Sequence, residues 1–148
     1  MSTKSDDQDV CEIKAIVRRQ FESLSWSADK PADWQCFSDD FHPTASLYPA
    51  SRPAERQTVV GFLERMKGLA ESKLTVFDEQ PLGTEVQVFG RVASAVAACK
   101  ITENQREISR GVEMLLLVKD DGRWRIVAQA WDLASGDQTV PGHLMQDG

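Results

Sequence analysis

Residues 108–132 read ISRGVEMLLLVKDDGRWRIVAQAWD, two apolar-rich runs on either side of Asp120-Asp121-Gly122. Such runs around an Asp-Gly signal predict a β-hairpin. A three-residue loop with Gly122 left-handed sets Val118 opposite Trp124, Leu116 opposite Ile126, Met114 opposite Ala128 and Val112 opposite Ala130. One face is then wholly apolar and is expected to meet the core, because a slip of one residue exchanges the two faces. The same register sets Arg110 opposite Asp132. The other face carries Glu113, Leu115, Leu117, Val127, Gln129 and Trp131, an apolar patch of the kind that marks a contact surface. It predicts a homodimer through Leu115, Leu117, Val127 and Trp131, closed by a two-fold axis.

Working outward, Lys73–Phe77, Thr84–Phe89 and Val92–Thr102 also have strand character, punctuated by Pro81-Gly83 and Gly90. A tight turn near Asn104-Gln105 would bring Ala93, Ala95, Ala97 and Cys99 onto the inner face, with Cys99 opposite Arg110. The first half is helical in period. Val10, Ile13, Val17, Phe21 and Leu24 make one stripe of a helix over about 9–25, with Glu12, Lys14, Arg18, Arg19 and Glu22 opposite. Ala32–Phe37 reads as a second helix, Ala45–Tyr48 as a short strand, and Glu55–Ala70 as a third helix, with Pro53 near its first turn. Helices followed by a strand meander make an α+β protein with a mainly antiparallel sheet. The expectation is a single domain over 1–148, its core within about 9–132, and a polar tail over 133–148 that lies disordered or drapes over the surface.

The apolar share of 41% and charged share of 27% are those of an ordinary globular chain, and no apolar run approaches the length of a membrane span. The polar, acidic start argues against a secretory signal, so a cytoplasmic location is expected and no membrane partner. A net charge of −6 with interspersed basic residues argues against nucleic acid. Cys11, Cys36 and Cys99 are scattered and only His42 and His143 could join them, so neither a disulfide framework nor a metal site is expected. No phosphate loop, nucleophile elbow or zinc-protease helix is present, and no cofactor is expected.

Several stretches resemble the nuclear transport factor 2-like superfamily, in particular its small stand-alone SnoaL-like and ketosteroid isomerase-like members. They are Asp33-Trp34, FHPTASL over 41–47, Val88-Phe89-Gly90-Arg91-Val92-Ala93, and above all Asp121-Gly122-Arg123-Trp124-Arg125-Ile126-Val127. The resemblance covers about residues 9–132. It implies a cystatin-like cone, with three helices packed in a curved sheet around an apolar cavity. It further implies a pocket for a small, largely apolar molecule. If the chain is an enzyme, the implied chemistry is isomerase-, cyclase- or dehydratase-type proton transfer on a carbonyl compound without a cofactor. Other members only bind or oligomerise, so a non-catalytic interaction module is the alternative. Tyr48, the only tyrosine, sits beside Pro49 on the short strand, away from the first helix where the isomerase pattern has its tyrosine.

Asp132 and Arg110 form the first candidate pair, either a base with an anchoring cation at the pocket's open end or a structural cross-strand ion pair. His42, before the short strand, is a candidate acid or base, or a loop residue bonded to backbone. Tyr48 could offer its hydroxyl to a ligand or satisfy it on a backbone carbonyl. Trp34, Phe37, Phe62 and Met66, with Met114 from the expected inner face, are candidates for the wall against a flat ligand, or simply core.

Overall fold

The computed structural model describes residues 4–51 and 53–145. In chain order the elements are α1 (Lys4–Ser23), α2 (Trp34–Asp39), β1 (Phe41–Pro49), α3 (Val59–Ala70), β2 (Phe77–Phe89), β3 (Val92–Glu103), β4 (Glu107–Asp120) and β5 (Arg123–Leu133), closed by a 3-10 turn (Gly142–Leu144). α3 starts at Val59 because Thr58 caps it, its hydroxyl accepting from the Gly61 N–H at 3.0 Å. Pro53 therefore lies in the preceding loop and not in the first turn. Asp33 caps α2 in the same way, accepting from the Cys36 N–H at 3.0 Å.

The strands form one sheet in the order β1-β5-β4-β3-β2, antiparallel except for β1, which runs parallel to β5. The two strands expected over 73–77 and 84–89 are one, β2, beginning at Phe77. Pro81 is tolerated within it because β2 is an edge strand, and the register shifts between Pro81 and Gly83. Asn104 at φ 50° turns the chain from β3 to β4. Its side-chain oxygen accepts from the N–H groups of Thr75 and Val76 at 2.9 and 3.1 Å, which explains how a poor turn dipeptide is held.

The helices cover one face of this sheet, giving the α+β cone. Ile13, Val17 and Phe21 of α1, Phe37 of α2 and Phe62 of α3 are buried against Ala93, Ala95 and Ala97 of β3, Leu115 and Leu117 of β4, and Trp124 and Ile126 of β5. Asp9, buried near the start of α1, clamps the helix to the hairpin by accepting from Lys119 Nζ at 3.0 Å and Trp124 Nε1 at 2.9 Å. Burial pushes its carboxyl up, but those two hydrogen bonds and the Lys119 charge together hold it below the usual range. Farther along α1, Arg19 makes a bidentate pair with the buried Asp40, at 3.0 and 2.9 Å.

The hairpin differs from the sequence expectation, and the difference decides the site. Its loop has two residues, Asp121 and Gly122, with φ of 52° and 75°, the geometry that suits a right-twisted hairpin. A bulge at Val127 then shifts the pairing from Leu117–Ile126 to Leu116–Ala128. Glu113, Leu115, Leu117, Gln129 and Trp131 consequently face the helices. Leu115 is 2% exposed and Leu117 1%, so the surface expected to form a dimer is the wall of the core. Met114 and Leu116, expected inside, are 60% and 56% exposed on the outer face. The run Met114–Val118 is apolar throughout and carries no alternation of its own, so turn length alone decides which residues point inward.

The chain after β5 drapes across the outer face. Leu144 is buried, and its carbonyl lies so close over Gly83 that any Cβ there would collide with it. Among the described residues no helix is long and apolar enough to cross a membrane.

Candidate functional site

Between the helices and the inner face of the sheet lies a cavity of about 510 Å³. Its walls are Phe37, Phe62, Met66, Leu69, Phe77 and Trp131. The helical stripes of α2 and α3 supply four of them, and Phe62 meets Trp131 edge-on with ring centroids 5.6 Å apart. The exposed residues Ser51, Arg65 and Asp132 mark its mouth.

The floor is polar. Glu79 of β2, Cys99 of β3 and Glu113 of β4 are buried, and their side-chain ligand atoms lie within 4.8 Å of one another. The register explains the meeting. Ile101 pairs with Glu79 and Ala97 with Glu113, so the two acids reach diagonally toward each other over Cys99. Gln129 Nε2 donates to Glu113 Oε2 at 2.6 Å, and Gln20 Nε2 of α1 donates to Gln129 Oε1 at 2.6 Å. This leaves Gln20 Oε1 buried with no donor. Among the described residues no hydrogen bond reaches the Glu79 carboxyl.

Burial dominates the electrostatics. It pushes the Glu113 carboxyl up to about 8. Burial, then the charges of Glu113 and Asp78, push Glu79 well above the usual carboxylate range. Two carboxyls this close cannot both ionise cheaply, so the pair holds a proton near neutrality. The Cys99 thiol is driven up by burial and by both acids, and so stays protonated. Glu79, Cys99 and Glu113 would make an O, O, S donor set only after both acids and the thiol lost their protons, and burial opposes that loss, so they are not assigned as metal ligands.

Of the residues singled out from the sequence, Phe37, Phe62 and Met66 line the cavity, and Asp132 stands at its mouth. Asp132 is paired opposite Val112 and Arg110 opposite Lys100, so the two are not cross-strand partners. Asp132 instead accepts from the Leu133 N–H and from the Gln138 side chain. The His42 ring turns back on Thr44, at 3.1 Å from its N–H. Tyr48 is exposed and Met114 points outward, both because β1 and β4 turn those positions away from the helices. Trp34 lies over Trp26 under the Lys67 ammonium, outside the cavity lining. Glu79 and Gln20 were missed, and Glu113 and Gln129 were placed on the wrong face. The available signal was polar residues inside apolar rows: Gln20 between Val17 and Leu24, and Glu113 in line with Leu115 and Leu117.

No family profile matches the chain, and no curated protein matches it. Solved structures do. A protein named as a candidate scytalone dehydratase from Novosphingobium aromaticivorans aligns at TM-score 0.73 and 10% identity, over 99% of this chain and 97% of that one. A nuclear transport factor 2-like protein of unknown function from Pseudomonas putida aligns at TM-score 0.71 and 11% identity, over 91% and 94%. A protein of unknown function from Mycobacterium tuberculosis aligns at TM-score 0.70 and 18% identity, over 95% and 82%. Identities this low speak to the fold alone. The chain therefore has the fold of the nuclear transport factor 2-like and cystatin-like proteins among the solved structures that match it.

Proposed function

We propose that the cavity receives a small, largely apolar molecule and that the Glu79–Glu113 pair moves a proton on it. The observation that carries this reading is the pair itself, two buried carboxyls within 4.8 Å of each other on the floor of a cavity with aromatic and aliphatic walls. A carbonyl compound is the substrate class. Once the pair has lost one of its protons, the carboxyl still protonated donates to the carbonyl oxygen while the ionised one takes the α-proton, which is acid/base chemistry needing no cofactor. Asp132 meets the substrate at the mouth, and Gln129 holds Glu113 in place. The test is native mass spectrometry with extraction of whatever co-purifies, followed by α-proton exchange of that compound in deuterated water. Exchange that falls at least a hundredfold in Glu79→Gln and Glu113→Gln supports the reading. Exchange unchanged in both variants overturns it.

A second reading is assembly without turnover, favoured by the exposure of Met114, Leu116 and Val92 on the outer sheet face. Two copies meeting there would form a homodimer, on the face opposite to that expected from the sequence. Sedimentation of Leu116→Arg tests it. A wild-type dimer that the variant splits supports this reading, and a wild-type monomer removes it.

A further inference from the structure

We propose that the floor of the cavity is also a binding site for lipophilic primary amines, held as ammonium ions by Glu79, Glu113 and Gln20 with the aromatic walls around the hydrocarbon body. The inference rests on the cavity reading above, and it names a ligand class that the proton-transfer chemistry does not require.

The floor has more acceptors than donors. The Glu79 carboxyl receives no hydrogen bond among the described residues, and Glu113 receives one, from Gln129. Gln20 lines the cavity at 3% exposure with Oε1 unpartnered, although its Nε2 is engaged. A buried acceptor without a donor costs about 1–3 kcal/mol, so a ligand that brings donors recovers that loss. A primary ammonium brings three, where an alcohol brings one. Arg65, exposed at the mouth, is the one cationic side chain of the lining among the described residues, so nothing on the floor already neutralises the acids. Phe37, Phe62, Phe77 and Trp131 supply apolar contact and ring faces that attract a cation. A carboxylate ligand would instead set a third acid beside the first two.

The proton balance is explicit. When R–NH3+ enters, one carboxyl of the protonated pair releases its proton to solvent and becomes the counter-ion, so no oxidant or further reactant is involved. Affinity then rises with pH, by about tenfold per unit, while the pair is protonated and the ligand remains ammonium. The other titratable groups around the pair are Cys99 over the same floor, Asp78 on the other face of β2, Glu103 in the cavity lining, and Arg65 and Asp132 at the mouth.

The experiment is calorimetric titration of the full chain with 2-naphthylmethylamine, 2-naphthylmethanol and 2-naphthoate, between pH 6 and 7.5 and in two buffers of different ionisation enthalpy. The expected result is amine binding at least tenfold tighter than the alcohol, with proton release and tightening as pH rises, and no measurable binding of naphthoate. Glu79→Gln and Glu113→Gln should each lose tenfold or more for the amine and keep the alcohol's affinity. Amine and alcohol within twofold of each other, or amine affinity flat with pH, overturns the proposal even if neither variant folds. Alcohol binding without amine binding removes this proposal alone. No binding of any of the three removes the cavity reading with it.

Discussion

Glu79 and Glu113 stand on strands that do not pair with each other, yet their carboxyl oxygens come within 4.8 Å over Cys99 on the strand between. Their burial ties stability to pH. A carboxyl whose folded value is raised keeps its full contribution below the unfolded value, and loses it as pH climbs toward the folded value. With Glu113 at about 8, stability should fall between about pH 4.5 and pH 8, by up to about 4 kcal/mol. Glu113→Gln should flatten that part of the profile and be the more stable protein at pH 8. Urea unfolding at pH 5, 6.5 and 8 checks it, and an equal slope in the variant would refute the assignment.

Gln129 serves two partners at once, donating to Glu113 and accepting from Gln20. Gln129→Leu should therefore cost about 2 kcal/mol or more, because it strands polar groups on both sides. The double variant Gln129→Leu/Glu113→Leu should recover part of that loss. A double-mutant cycle of midpoints measures the coupling.

Gly83 leaves room for the Leu144 carbonyl. Gly83→Ala should lift the closing turn away while the sheet survives. Limited proteolysis should then cut within residues 134–145 at least tenfold faster, with the thermal midpoint of the remainder little changed.

The three thiols should separate kinetically. Cys11 is exposed and should react first with a disulfide reagent. Cys36 should follow, its thiol raised by burial and then by the nearby charges of Asp33 and Asp40. Cys99 should react only on unfolding, since burial and the two acids keep it protonated. Labelling followed by mass spectrometry gives the order, and early labelling at Cys99 would mean the floor is open to solvent.

The α+β order was legible because period changes are visible in a single chain. Ile13, Val17 and Phe21 repeat as a helix does, and the runs around Asp120-Gly122 do not. Phe37, Phe62 and Met66 were legible as cavity wall for the same reason. The floor was not. Whether Glu113 or Met114 points inward depends on the two-residue turn, and whether Gln129 or Ala130 does depends also on the one-residue bulge, while the unbroken apolar run Met114–Val118 gives no local sign of either. Glu79 and Gln20 join Glu113 only through pairings set by that register, and Gln20 also needs α1 seated by its Asp9 clamp.

The bulge at Val127 has a consequence for how this chain could vary by descent. Trp124 and Ile126 point inward before it, and Gln129 and Trp131 point inward after it. Loss of a single codon at Val127 or Ala128 would leave a regular alternation with all four side chains still inward. Loss of the codon for Ala130 would instead turn Trp131 out and open the chamber's side. Length change in this strand is thus neutral for the chamber at one place and ruinous a few codons later, so insertions and deletions among relatives of this chain should collect at the bulge.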